Sequence, residues 1–421
     1  MKLDKFLVAA VCALAAALIT ACSDDAKCHD AIPNVDKLEA ITQMDFDDSE
    51  FDAIDKLSDL SFEMNSMAYK NEQTVFGTNI SGNSVFSPVS TLVSLTMLAN
   101  GMDSPVGDNI AKRIGFDDIN SLNKFVNKTL RYLQGKPDGT ALFTNAVWMH
   151  NAYTPSQNFA NALSKNFAAP VASLDFDDKG TVDLINAWCC DFTEGLIPSI
   201  VDNLDADNPI IATNALYYAS KWYEQFDKEK TTIDPFYGSE RTSDIAMMHT
   251  KNNGYASDDE AEMITLGLKH HNCALYVVIG KENSSWLPQS ITKEQFNSLL
   301  KSMKYYYEVT LSLPRFKAAT TANFASVLSA MGIPGSDYTM AAAGLPESKY
   351  FNMIDVKQNA SIEIDEEGAK GAVVTVTKPL TTAGTPVEYI PVEVIVNRPF
   401  FFAIRDNDSG AIILMGCVNN L

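Results

Sequence analysis

From about residue 54 to residue 421 the chain offers no natural place to divide it. No Pro/Gly/Ser-rich linker, low-complexity stretch or internal repeat interrupts it, and helix-like and strand-like patterns are mixed throughout. Length alone would suggest about two or three domains, but the missing linkers argue for one large α+β domain, preceded by a separate N-terminal region. With 46% hydrophobic and 20% charged residues, the chain has ample apolar surface for a large core.

Local signals are legible in several places. Ser87 suits an N-cap, Pro88 the first helical position and Gly101 a C-terminal cap, so a helix is predicted up to Asn100. Its residues are nearly all apolar or small, which predicts burial on every face. Residues 142–149, 210–218 and 273–280 are short apolar runs that read as buried strands, and Val309 to Leu313 alternates before Pro314. Ile362 and Ile364 alternate, then an acidic turn with a Gly leads to a β-branched stretch, the pattern of a hairpin. Val392, Val394 and Val396 alternate as well. Phe400 to Ile404 and Ala411 to Gly416 then flank Asp406-Asn407-Asp408-Ser409-Gly410, a second hairpin with a turn-rich connection.

Residues 1–21 read as a signal peptide. Lys2 and Lys5 precede an apolar run, Phe6 to Ile19, that is too short and Ala-rich for a comfortable membrane span. Ile19-Thr20-Ala21-Cys22 looks like a bacterial lipoprotein cleavage box, which would leave Cys22 as a lipidated first residue; an ordinary signal with an incidental Cys is the bland alternative. Several acyl chains on Cys22 would make a durable anchor. Ser23-Asp24-Asp25 resembles the export signal of lipoproteins displayed on some Gram-negative bacteria, so an outer-membrane, outward-facing location is expected. Residues 22–53, with Asp45, Asp47, Asp48, Glu50 and Asp52, read as anchor plus flexible acidic tether.

The net charge of −21 argues against nucleic acid, since few phosphate counterions would be released, and reads mainly as a solvated acidic surface. Beyond Cys12 and Cys22 the cysteines are Cys28, Cys189, Cys190, Cys273 and Cys417, an odd number without metal-ligand spacing, which reads as mostly buried thiols. No Gly-x-Ser-x-Gly, His-Glu-x-x-His or Gly-x-x-x-x-Gly-Lys occurs, and no nucleophile–base pair stands out. His270 and His271 are adjacent and on a strand would face opposite ways. Asp406-x-Asp408 and Asp205-x-Asp207 lack the closing Glu of a calcium loop and read as turns. No cofactor and no metal are expected.

Several segments together resemble the serpin family. They are Asn83-Ser84-Val85-Phe86-Ser87-Pro88-Val89-Ser90 with Leu98-Ala99-Asn100-Gly101, then Ile185-Asn186-Ala187-Trp188, and then Thr193-Glu194-Gly195-Leu196-Ile197. Thr213 to Trp222, Leu311 to Lys317, Asn397-Arg398-Pro399-Phe400 and Met415 to Asn419 follow in the family's order. The resemblance covers about residue 55 to 421 and, with the lipoprotein-like start, is to the bacterial lipoprotein type of the family. It implies the serpin fold, three β-sheets with about eight to nine helices and an exposed reactive-centre loop at about 366–396. It implies no catalytic residues of its own. Partners would be serine and cysteine proteases held as a covalent acyl complex, with the chain a monomer.

By the same resemblance Glu366, Glu367, Gly368, Ala369, Lys370, Gly371, Ala372, Val373, Val374 and Thr375 form the hinge that enters the sheet after cleavage. If Ala369 points inward, so do Gly371, Val373 and Thr375, all small and uncharged, and no Pro occurs from Ala369 to Thr377. The family spacing from Glu366 places the bait bond at Thr382–Ala383, in a small uncharged context suiting elastase-like or subtilisin-like proteases; counting back from Asn397 places it nearer Glu388 and Tyr389. Ser87, Ser90, Asn214, Gln358 and Trp222 correspond to the residues that control sheet opening. Departures are Ala369 where Thr is favoured, Lys370 where Glu is common, Gly371 where Ala is usual, and Gln358 where His is frequent. They keep open a non-inhibitory serpin, a surface binding lipoprotein whose loop is only a substrate.

Overall fold

The apolar run at 210–218 extends into strand β4 (Ile210–Lys221), near the middle of a six-stranded main sheet. Its companions are β2 (Gly139–His150), β3 (Val171–Leu174), β11 (Phe316–Asn323), β12 (Val356–Ile364) and β13 (Gly368–Lys370), in the order β11-β12-β13-β4-β2-β3. The computed structural model describes residues 32–70, 83–135, 139–192, 199–252, 254–269, 272–323, 339–348, 356–370 and 390–421. Period-two alternation gives β4 two apolar faces. Ala212, Leu216 and Tyr218 join the principal core, whereas Ile211 and Ala215 join a smaller one on the opposite face. Helix α6 (Gly180–Phe192) covers that second face, with Trp188 edge-on to Trp148 at 5.1 Å.

On the principal face lies the predicted buried helix, α2 (Pro88–Ala99), with every residue buried and the Ser87 side chain accepting from the Ser90 N–H as N-cap. Around it pack α1 (Asp48–Lys70), α3 (Ser104–Ile114), α4 (Ile119–Gln134) and α5 (Gln157–Phe167). With α6 and α7 (Lys293–Ser302) there are seven α-helices among the described residues, against the eight or nine expected.

The C-terminal hairpin forms as its pattern predicts, from β15 (Phe400–Asp406) and β16 (Ile412–Val418). They lie in a second sheet with β1 (Ser84–Phe86), β7 (Tyr255–Ser257), β8 (Ala261–Gly267) and β9 (Cys273–Gly280). The turn is local chemistry: the Asp406 carboxylate accepts from the Ser409 N–H at 2.9 Å and from its hydroxyl, and Gly410 takes φ +85°. Asp205 accepts from the Asp207 N–H in the same manner. A third sheet, β14-β10-β6-β5, is built of β5 (Thr232–Tyr237), β6 (Thr242–Asn252), β10 (Tyr307–Pro314) and β14 (Ile390–Ile395).

Part of the acidic stretch expected as tether is folded. α1 already begins at Asp48, where Asp48 and Glu50 in its first turn complement the helix dipole. Upstream, Ile41 donates its N–H to Arg131 O (3.1 Å) and Arg131 Nε donates to Glu39 O (2.6 Å). Phe46 packs against Phe125 and Tyr132 under the Lys128 ammonium, which also pairs with Glu50 at 2.7 Å. Acidity there serves a helix end, and Ile41 and Phe46 supply the apolar grip. Cys189, Cys273 and Cys417 are buried thiols and Cys190 is half-buried. Burial pushes Cys189 and Cys417 up to about 12, which makes them inert. Residues 1–31, with Cys22 and Cys28, and His270 and His271 lie outside the described residues.

Candidate functional site

Strands β12 and β4 are joined in two different ways along their length. At one end they pair directly and in parallel, from Val356 opposite Ala212 to Ala360 opposite Leu216. At the other end they part, and β13 stands between them: Ala369 is opposite Ile364 of β12 on one side and Ser220 of β4 on the other. The residue pattern's hairpin is thus present, wedged into the middle of a sheet. Asp365 holds its turn by donating its N–H to Gly368 O (3.1 Å) and accepting the Glu367 and Gly368 N–H groups on Oδ1 (2.9 and 3.3 Å). A Cβ at Gly368 would lie 2.1 Å from Ser220 O, so only glycine permits this approach. Ala369 is buried in the principal core, which fixes the phase in which a continuing strand would place every second residue inward. Gly371 to Thr375 and the Thr382–Ala383 bond lie outside the described residues, as does Tyr389.

The open end is pinned by buried polar groups. Trp222, fully buried, donates Nε1–H to Asp365 O (2.7 Å) and its backbone N–H to Glu367 O (3.0 Å), and its ring meets Phe226 edge-on. The Glu366 carboxylate is only 2% exposed, yet it accepts from Arg315 Nη2 (2.5 Å) and Thr231 Oγ1 (2.7 Å). Burial on its own would raise its pKa; the bonds from Arg315 and Thr231 outweigh that and hold it below the usual carboxylate range. Glu367 forms an exposed pair with Lys228 at 2.5 Å, and this hydrogen bond raises the lysine's pKa.

The paired end is pinned differently. The Gln358 amide accepts the Ser87 N–H on Oε1 (2.7 Å) and donates Nε2–H to Ser87 O (2.8 Å) and Thr91 Oγ1 (3.3 Å). It therefore moors β12 to the first turn of α2. Across the seam Asn214 donates to Asn145 Oδ1 (2.5 Å), which lies opposite it on β2, and Asn145 donates to Phe167 O (2.9 Å). Ser90 Oγ and Asn214 Oδ1 are buried without a hydrogen-bond partner among the described residues. The five expected opening residues thus form two clusters, Ser87, Ser90, Asn214 and Gln358 at one end and Trp222 at the other. Arg315, Thr231, Asn145 and Thr91 complete them. Only Arg315 lay within a recognised segment; the others are polar residues in stretches whose pattern gave no sign of a partner.

Two further clusters escaped the sequence. His150 lies with Asp175 and Asp177 within metal-ligating distance of one another. However, its Nδ1 accepts the Ala152 N–H (3.0 Å), which places the proton of the neutral ring on Nε2, the nitrogen that faces Asp177 at 3.7 Å, and that tautomer does not suit a metal ligand. His249 bridges Ser312 Oγ (2.9 Å) and Thr232 Oγ1 (2.7 Å), with Asp234 at 3.7 Å, a serine–histidine–aspartate chain in the third sheet. Ser312 lies on β10, between β14 and β6, where its backbone belongs to the sheet ladders.

The family described as "Serpin (serine protease inhibitor)" matches residues 59–421. An uncharacterized serpin-like protein of Methanosarcina acetivorans is 26% identical over 381 residues, covering 88% of this chain and 88% of its own. Among solved structures, the thermophilic serpin tengpin in its native state superposes with a TM-score of 0.75 at 25% identity, covering 93% of this chain and all of its own. Thyroxine-binding globulin in complex with thyroxine has the same fold, with a TM-score of 0.73 at 19% identity over 88% of this chain and 99% of its own.

Proposed function

Because the chain belongs to the serpin family, we propose that it is a suicide inhibitor of serine endopeptidases, with cysteine endopeptidases as further targets. Family and fold support protease inhibition in general. The finer reading rests on one observation: β13 already occupies the first positions of a new central strand between β12 and β4. In this mechanism a protease attacks the bait bond and becomes acylated. The freed loop continues the strand that Gly368–Lys370 begins, replacing the direct pairing of Val356–Ala360 with Ala212–Leu216. The dragged protease loses its oxyanion geometry and deacylation stops. The small residues Leu380-Thr381-Thr382-Ala383 favour elastase-like and subtilisin-like targets, with the bond near Tyr389 as the competing position. A lipid on Cys22 would hold the inhibitor at the outer membrane, where it guards the cell envelope as a monomer.

The test is to incubate the purified full chain with an elastase, a subtilisin, trypsin and papain. A denaturant-resistant complex with a released fragment starting at Ala383 is expected. Loop cleavage that leaves the proteases fully active would sink inhibition and favour the second reading, a non-inhibitory serpin. That reading draws on the unusual Lys370-Gly371 pair, Lys370 standing opposite the outward Glu363 in register.

A further inference from the structure

Two consecutive tyrosines and an isoleucine stand exposed together where the described chain resumes after the loop. Tyr305 is 58% exposed, Tyr306 42% and Ile390 50%. They sit on a rigid base. Lys304 and Tyr255 exchange backbone bonds of 2.9 and 3.0 Å, Tyr306 stacks at 4.8 Å from Tyr307, and Tyr307 meets Tyr255 edge-on at 5.0 Å. Tyr305 lies over Gly254, where an added Cβ would come within 3.2 Å of its ring. The Ile390 N–H donates to Tyr306 O at 3.1 Å, so the first described residue downstream of the loop is bonded to the tyrosine pair itself.

We propose that Tyr305, Tyr306 and Ile390 form an exosite that receives the rim of the target protease downstream of its cleft. The proposal rests on the inhibitory reading above and adds a specificity element to it. The occupant follows from continuity. A protease holding the loop is tied to Ile390 by at most about 25 Å of chain if it cuts at Thr382–Ala383, and by a few ångströms if it cuts near Tyr389. Exposed, pre-ordered tyrosines are the side chains that gain most from covering a partner at little entropic cost. Lys251 and Glu308 beside it pair at 2.6 Å, so the platform offers a partner chiefly tyrosine rings and the Ile390 side chain, with the exposed Lys304 at its edge. Because acylation follows reversible docking, faster escape of the docked protease appears as slower overall inhibition. Once the loop inserts, the protease leaves the platform, so the final complex does not depend on it.

The experiment compares the full chain with Tyr305→Ala/Tyr306→Ala, measuring the second-order rate of inhibition and the yield of covalent complex with an elastase and a subtilisin. The expected result is a rate about tenfold lower with at least one protease, at unchanged complex yield and unchanged melting temperature. An unchanged rate with intact complex formation overturns the exosite and leaves inhibition standing. Absence of complex with the unmodified chain overturns both. If the double variant melts early, Tyr305→Ala alone decides: a severalfold slower rate supports the proposal and an unaltered rate overturns it.

Discussion

Glu366 carries more of the site than its place in a turn suggests. A carboxylate this buried requires the cation and hydroxyl it meets, and Arg315 and Thr231 arrive from elements distant in sequence. Arg315 is itself half exposed, so replacing Glu366 by Ala is expected to cost about 1–3 kcal/mol, less than a fully buried pair. Its pH signature is distinctive. The folded pKa lies below the unfolded value, so the stabilisation is complete above about pH 4.3 and drains away as pH falls through the lower folded value. Urea midpoints measured between pH 3 and 6 should fall more steeply with acid in the unmodified chain than in Glu366→Gln, the remaining slope belonging to other lowered carboxylates such as Asp258; equal slopes would remove the ion pair from the account. Gln358 offers a second test. Gln358→Ala orphans the Ser87 N–H beneath the sheet and leaves a gap, an expected loss of about 2–4 kcal/mol in equilibrium unfolding.

At the scale of elements, β13 is three residues long and antiparallel to both neighbours, and its inward residue is Ala369. Ala369→Glu should force a carboxylate into the core position and turn the inhibitor into a substrate. Gel analysis would then show cleaved chain and active protease in place of complex; retained inhibition would mean that strand entry does not govern trapping. Much at this scale was readable in advance. Ser87-Pro88 marks the start of α2, and the valines at 392, 394 and 396 mark β14 and the residue beyond it, because caps and alternation are local devices, whereas the helix ends on Asn100 and Gly101 follows it without the positive φ of a glycine cap. The hairpin at 362–370 was equally readable as a hairpin. Its insertion between two parallel-paired strands was not, since that depends on Ser220 and Lys221, which lie far away in the chain. The fold of residues 38–53 was missed for the same reason: Phe46 finds its pocket on α4, and acidity alone says only that a segment tolerates water.

For the molecule as a whole, the proposed mechanism defines two states that differ in the length of β13 between β12 and β4. Completing β13 adds about ten ladder hydrogen bonds, near ~10 kcal/mol at about one each. For a domain of this size that corresponds to a melting temperature higher by roughly 13 °C. Cleaving the loop with a protease the chain does not trap, then heating both forms, tests this directly; equal melting temperatures would mean that the loop stays out of the sheet. In the proposed mechanism inhibition is a race between completion of the strand and water reaching the acyl ester. A strand that begins from nothing must first close a loop and find its register, the slow nucleation step. Here Gly368, Ala369 and Lys370 already hold register against both neighbours, so in that race the strand has its nucleus in place and has only to advance as the direct β12–β4 pairing gives way.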